Sequence, residues 1–136
     1  PGAIGAALRQ IAEADAMPFV CAVPPEFGPE GFVSPIRHPS DHAGEEETSR
    51  MLWLRPDLVR ADRLADNPVG ELRVKSLARV QFVRPWHLYV PRAAGGDSRE
   101  ATAEKGRLVT EASALALEDL LVELSAAPWD ERFPYV

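Results

Sequence analysis

The chain has 136 residues, of which 46% are hydrophobic and 26% are charged, and its net charge is -6. These values are typical of one soluble globular domain and exclude a disordered or fibrous chain. The acidic balance, without a run rich in lysine and arginine, argues against a nucleic-acid or anionic-membrane surface. No apolar run approaches the ~20 residues of a membrane span, and a single cysteine excludes an internal disulfide. We therefore expect a cytoplasmic protein without nucleic-acid or membrane partners.

The first elements predict an α/β fold. Apolar residues recur at helical spacing between Gly2 and Asp15, and Pro18 ends the pattern, so we predict a helix there. The continuous apolar run Phe19–Val23 is typical of a strand covered on both faces, as in parallel sheets. Cys21 falls within this run and is predicted to be inert core. A helix followed by a buried strand is characteristic of α/β proteins.

A loop rich in proline and glycine, residues 24–44, follows the predicted strand. In open α/β sheets, loops at the carboxyl ends of strands are where ligands bind. A short helix is predicted next, over Glu45–Leu54, because acidic residues in its first turn complement the helix dipole and Pro56 follows its end. The candidate chemistry lies at the junction of this loop and this helix.

The second half of the chain predicts two extended segments and a long helix. Residues alternate between polar and apolar in Arg79–Val83 and Trp86–Val90, which favours half-buried strands with His87 facing outward. Asp97–Glu100 has the form of a capping box, and an apolar stripe follows it. We therefore predict a helix over Ser98–Ser125.

Helical spacing separates three consecutive glutamates at the start of the short helix. Glu46 lies one turn before Arg50 and is expected to pair with it, while Glu45 is expected to be a charge at the helix start. Glu47 shares a stripe with Met51 and so points along the apolar side of the helix. A carboxylate buried there needs a metal, a partner or hydrogen bonds.

His42 precedes Glu47 by five residues across a small Ala-Gly turn. An imidazole and a carboxylate beside a helix start are typical of part of a metal site or of an acid–base pair. The alternative is that His42 is a turn residue and the glutamates are ordinary helix-start charges. In the same loop, His38 is a candidate substrate contact, and Asp41 either orients His42 or caps the turn. A zinc site needs three or four ligands, and this stretch supplies at most two.

Three parts of the chain resemble the creatininase (creatinine amidohydrolase) family, in the family's own order. Asp41–Ser49, with the sequence DHAGEEETS, resembles the HAGxxETS segment, and Met51–Val59 resembles the helix that follows it. Arg84–Trp86 and Gly96–Gly106 are similar to later segments, the last of which opens a long helix with a GDPxxAT-like stretch. The resemblance implies a three-layer α/β/α sandwich with a mostly parallel sheet, of which this chain would be the C-terminal half.

The same resemblance implies a metal-dependent hydrolase of non-peptide C–N bonds, of the cyclic amide or amidine type. Its small-molecule substrate would be attacked by a metal-activated hydroxide, with two divalent ions, zinc or manganese or both, in the site. The resemblance assigns His42 to proton transfer and Glu47 to metal binding. Asp41 and His38, which precede that histidine, are the candidate substrate-binding residues.

Other activities within this family stay open, namely a peptidase, a deformylase or an inosose-type ring hydrolase. The family's remaining ligands come from an E-x-H-G segment, a following aspartate and an NGHGGN-like segment, none of which occurs in this chain. We therefore expect residues 1–136 to be the C-terminal portion of one creatininase-like domain, completed by an N-terminal segment or chain, and to form homo- or hetero-oligomers. The other class of function is a non-catalytic assembly or regulatory fragment with an incomplete metal site.

Overall fold

Helices dominate the computed structural model of the chain, which describes residues 3–14, 19, 21–24, 27–38, 42–80, 82, 85–130 and 132–135. The α-helices of this part are α1 (Ala3–Ala14), α2 (Glu45–Leu54), α3 (Trp86–Tyr89) and α4 (Ala103–Ala126). Short 3-10 helices cover Pro56–Leu58, Ala61–Arg63 and Lys75–Arg79, and the strands are β1 (Asp66–Asn67) and β2 (Gly96–Asp97). Within these residues, no helix is both long and apolar enough to cross a membrane.

Helix α2 has the predicted bounds. The Arg55 N–H donates to the Met51 carbonyl at 2.8 Å, and Pro56 then starts a 3-10 helix, so the α-helix ends where the proline requires. The predicted pair between Glu46 and Arg50 also forms, with Nη2 and Oε1 2.8 Å apart. The helix α1 is likewise confirmed between the residues that the structure describes.

Helix α4 packs directly across α2, and small residues make the contact. Ser49 of α2 is fully buried, and Val109, Ala112 and Ala116 are buried on α4. A Cβ atom added at Gly106 would lie 1.9 Å from the carbonyl oxygen of Ser49. The two backbones therefore approach so closely that a side chain does not fit at this crossing without moving one helix.

The start of α4 differs from the prediction. The helix begins directly after Thr102, whose Oγ1 accepts the N–H of Lys105 at 3.2 Å, and not at the predicted Ser98. The predicted capping residue, Asp97, accepts the backbone N–H two residues later at 3.0 Å, in a turn before the helix. A tertiary contact selects the later start, because the Thr102 N–H donates to the buried Oγ of Ser49 at 3.2 Å.

The predicted strand Phe19–Val23 is not formed by the described residues of that run. Phe19 and residues 21–23 are irregular, Val20 lies outside the described residues, and Cys21 is exposed, so its assignment to the core is wrong. A strand requires a neighbouring strand to pair its backbone groups. The described part of the chain offers this run none.

The alternating segments of the second half are also not strands. Arg79 ends a 3-10 helix, and in the rest of Arg79–Val83 the described residues are irregular. Trp86–Val90 forms α3 and its C-terminal cap, with the Tyr89 N–H donating to the Pro85 carbonyl at 3.1 Å. His87 is exposed as predicted, but on a helix. Local turn formation after a proline therefore outweighs the alternating pattern.

The described strands form one small antiparallel ladder. Asp66 of β1 lies opposite Asp97 of β2, and an isolated bridge between His42 and Gly95 lies one residue before β2. The bridge joins the loop before α2 to the segment before α4. The larger, mostly parallel sheet of a three-layer sandwich stays a prediction for the complete domain.

The chain exposes much more surface than a compact protein of its size. Its accessible surface is 10515 Å², whereas a compact protein of 14.9 kDa exposes roughly 7,000 Å². The exposed hydrophobic residues include Ile4, Val33, Leu58, Leu88 and Leu121. Many large hydrophobic side chains are therefore accessible to solvent in this chain.

Replacing Gly106 by alanine is expected to destabilise the protein, although alanine is the better helix former by about 1 kcal/mol. The added Cβ would meet the Ser49 oxygen at 1.9 Å, so α2 and α4 must separate. We expect the free energy of unfolding to fall by about 1–3 kcal/mol, measured by urea unfolding. Glu118→Ala, at an exposed position of α4, is the control. An unchanged or higher stability of Gly106→Ala would contradict the close crossing.

Candidate functional site

A tight turn brings His42 and the first residues of α2 together. The backbone of His42 is fixed by its bridge to Gly95, with N–O distances of 2.8 and 3.3 Å. Ala43 follows with φ of 50°, in the left-handed region that non-glycine residues rarely adopt. Gly44 is the N-cap of α2 and has no side chain to offer to the helix N–H groups. The turn therefore places the side chain of His42 beside the start of α2.

The side chains of His42 and Glu47 lie next to each other. Nδ1 of His42 is 3.9 Å from Oε2 of Glu47, and the same oxygen accepts the N–H of Ala43 at 2.5 Å. The side chains are 46% and 60% exposed, respectively. The expectation that Glu47 is buried is therefore wrong, because the apolar side of α2 borders an open cleft instead of a packed core. Both groups are accessible to a ligand.

The cleft beside Glu47 has a volume of about 350 Å³, which is the size of a site for a small molecule. Its wall begins at Ala43 and Glu47 and continues along α2 and the 3-10 helices that follow. The lining residues are Ala43, Glu47, Thr48, Met51, Leu58, Val59, Arg60, Arg63, Leu64, Asn67, Ala94 and Ser98. The carboxylate of Glu47 is therefore one of few charged groups on a largely apolar wall.

An aromatic pair borders His42. The ring centroids of His42 and Trp86 are 5.4 Å apart with an interplanar angle of 71°, and Tyr89 lies 5.9 Å from Trp86. Sequence reasoning missed this contact because it placed Trp86 on a strand distant from the loop. The resemblance of Arg84–Trp86 to a segment of the family was the signal in the sequence that could have placed Trp86 near the site. Edge-to-face packing against Trp86 restricts the orientation of the His42 ring.

Glu45 is the buried carboxylate of this region, so its assignment as an ordinary helix-start charge is wrong. Its side chain is fully buried, Oε2 accepts the backbone N–H groups of His38 and Arg37 at 2.7 and 2.9 Å, and Oε1 accepts a hydrogen bond from Nζ of Lys105. Burial alone would raise the pKa of Glu45. The hydrogen bonds from Lys105 and the two N–H groups outweigh burial and hold the pKa below its ordinary value.

His38 faces a different partner from His42. Nε2 of its ring lies 3.6 Å from Oε1 of Glu100, and its backbone N–H donates to Oε2 of Glu45. Among the residues that the structure describes, its ring is not placed against Glu47. Its role as a substrate contact stays a prediction, and so does that of Asp41, which lies outside the described residues.

The donors of the site fall short of a metal-binding set. In the described part of the chain, no group of three or more histidine, cysteine, aspartate or glutamate side chains is arranged to hold a metal ion. His42 and Glu47 supply at most two donors, whereas zinc is held by three or four protein ligands. These residues alone therefore do not fit a metal ion, and a complete site needs donors from elsewhere.

Comparison with known proteins gives a family match over most of the chain. The family described as "Creatininase: Creatinine amidohydrolase" matches residues 2–121. A search of curated proteins finds no significant match. The matched residues include the whole turn with His42 and Glu47, the aromatic pair and most of α4.

Solved structures of similar fold share the same description. A protein assigned as a creatinine amidohydrolase from Bacteroides fragilis NCTC 9343 has a TM-score of 0.77 and 26% identity over 96% of this chain and 52% of its own. A creatinine amidohydrolase (creatininase) has a TM-score of 0.56 and 25% identity over 92% of this chain and 50% of its own. A structure described as "Creatininase Mn" has a TM-score of 0.51 and 27% identity over 92% and 50%. The chain thus spans about half the length of these relatives.

Glu45→Gln is expected to lower stability at neutral pH by about 1–3 kcal/mol, because the amine of Lys105 loses the buried carboxylate that accepts its hydrogen bond. In the wild type, the pKa of folded Glu45 lies below the ordinary value of 4.5, so its stabilisation is present above pH 4.5 and is lost on further acidification. The variant should therefore lose less stability on acidification. Glu46→Gln is the control. Parallel acid profiles for Glu45→Gln and wild type, measured by urea unfolding, would contradict this role.

Proposed function

Because the chain belongs to the creatininase family, we propose that it contributes His42 and Glu47 to a metal-dependent amidohydrolase acting on non-peptide C–N bonds. The substrate class is a small cyclic amide or amidine. The observation that carries the proposal is the pairing of the two exposed side chains, 3.9 Å apart, with Glu47 lining a cleft of about 350 Å³. A cytoplasmic location accompanies this function.

His42 is proposed as the proton-transfer residue. Its imidazole is about half exposed, so a substrate nitrogen has access to it. The bridge to Gly95 fixes its backbone, and the ring of Trp86 limits its rotation. General acid–base catalysis requires a group held within hydrogen-bond reach of the reacting atom. The backbone bridge and the ring contact restrict His42 before a substrate binds, which supports this role.

Glu47 is proposed as a ligand of divalent metal ions, which other parts of the complete domain help to hold. Oε2 accepts the Ala43 N–H, and Oε1 has no hydrogen-bond partner among the described residues. The description "Creatininase Mn" supports manganese as one of the ions, and zinc is the other candidate. Bound ions of this kind activate water and polarise a carbonyl group. His38 and Asp41 remain the proposed substrate contacts.

The missing donors are proposed to come from a complementary N-terminal segment or chain, which also completes a three-layer α/β/α sandwich with a parallel sheet. The excess of accessible surface and the match to about half of each relative support this. The apolar run Phe19–Val23 would then find its neighbouring strands in the complement. Homo- or hetero-oligomers of the completed domain are part of the proposal.

A non-catalytic assembly or regulatory role is the second candidate function. It is favoured by one observation, the lack of a three-ligand cluster among the described residues. Within the enzymatic class, a peptidase, a deformylase or an inosose-type ring hydrolase would use the same two residues with a different cleft. Metal content of the native assembly separates the two classes, since the non-catalytic role needs no ion.

The native assembly is expected to contain more than this chain. Intact mass and size-exclusion chromatography should show a species heavier than 14.9 kDa. The physical reason is the large apolar surface that the chain leaves exposed. A folded, soluble and metal-free monomer of 14.9 kDa would contradict the proposal.

Glu47→Gln and His42→Ala are expected to affect the assembly differently. Glu47→Gln should reduce bound metal and lower kcat/KM by at least about 100-fold, because a charged ligand is lost. His42→Ala should retain the metal while kcat falls by roughly 10²- to 10⁴-fold. Elemental analysis and steady-state kinetics measure both. In the control variant Glu46→Gln, the residue that is changed pairs with Arg50 in the wild type, so metal and activity should be retained. Full metal content and activity in Glu47→Gln would remove it from the site.

A further inference from the structure

Two arginines line the same cleft as Glu47. Arg60 directly precedes the 3-10 helix Ala61–Arg63, and Arg63 ends it. Apart from these arginines and Glu47, every lining residue is uncharged. The chain as a whole carries a net charge of -6, whereas two of the three charged residues that line this cleft are arginines.

The two arginines of the cleft differ in their charged partners. Arg60 has no ion-pair partner among the described residues, and Arg63 pairs only with the adjacent Asp62, at 3.2 Å between side chains that are 72% and 77% exposed. Arg55, by contrast, has a charged partner, because the carboxylate of Asp57 accepts two hydrogen bonds from its guanidinium group, at 2.9 and 2.7 Å. Of the arginines that line the cleft, Arg60 is therefore the one without a charged partner in the part of the chain that the structure describes.

We propose that Arg60, supported by Arg63, forms an anion subsite for a carboxylate or phosphate group of the substrate. A guanidinium group offers parallel N–H donors that match the oxygens of either anion. Leu58 and Leu64 line the same cleft and would contact the uncharged part of the molecule. The subsite rests on the proposed function, and it narrows the substrate class to an amide or amidine that carries an anionic group.

The test compares two cyclic amides that share a ring, hydantoin and hydantoin-5-acetate, on the metal-loaded native assembly. Wild type should prefer hydantoin-5-acetate. Arg60→Gln should lower kcat/KM for hydantoin-5-acetate by roughly 10- to 100-fold and leave that for hydantoin unchanged. Arg73→Gln, at an exposed position outside the cleft, carries the same change of charge and should alter neither value. Equal losses for both substrates, or no loss, would overturn the subsite.

Equilibrium binding separates this inference from the proposed function. Calorimetry should show weaker binding of hydantoin-5-acetate to Arg60→Gln than to wild type, whether or not the amide is hydrolysed. If neither hydantoin is hydrolysed but this difference persists, the amidohydrolase proposal fails for these substrates and the subsite stands. Competition by acetate or by inorganic phosphate, lost in Arg60→Gln, identifies the preferred anion. Binding of hydantoin-5-acetate that is equal in both proteins sinks the subsite.

Discussion

An ion pair between the buried carboxylate of Glu45 and the partly buried amine of Lys105 connects the segments from which the candidate site is built. The carboxylate lies at the first position of α2, the amine lies in the first turn of α4, and the loop before α2 donates the N–H groups of Arg37 and His38 to the same carboxylate. Lys105 also donates to the Glu100 carbonyl at 2.8 Å. Removing a charge from water is costly, and here each carboxylate oxygen has donors that compensate for it. Because this network fixes the helix start, it also fixes the turn that carries His42 and Glu47.

The different surroundings of Glu45, Glu46 and Glu47 follow from the geometry of one helical turn. Successive positions point about 100° apart, so the three carboxylates meet different surroundings. Glu45 is buried against Lys105 of α4, and Glu46 pairs with Arg50, which also donates to side chains of α4. Glu47 is the most exposed of the three and lines the cleft. The exposure of Glu47 is compatible with the metal-binding role proposed for it.

The sequence was sufficient to predict the features that depend on local chemistry. The bounds of α2, its pair between Glu46 and Arg50, and the proximity of His42 to Glu47 needed only helical spacing, a proline and a family motif. Features that depend on tertiary contacts were missed. Helical periodicity in the ten residues of α2 does not determine which glutamate contacts α4. The local sequence favours Asp97 as the N-cap of α4, whereas the hydrogen bond from the Thr102 N–H to Oγ of Ser49 starts the helix later. The strand at Phe19–Val23 needs partners that the described residues do not provide.

The left-handed conformation of Ala43 links the availability of the Glu47 carboxylate to the backbone. An alanine with φ of 50° carries a conformational cost of about 1–2 kcal/mol. The turn is held on one side by the bridge of His42 to Gly95 and on the other by the hydrogen bond from the Ala43 N–H to Oε2 of Glu47. A cation that drew on this oxygen would compete with that hydrogen bond. Cation binding at Glu47 would therefore be thermodynamically linked to the conformation of the loop that presents His42. A change in one would then be measurable as a change in the other.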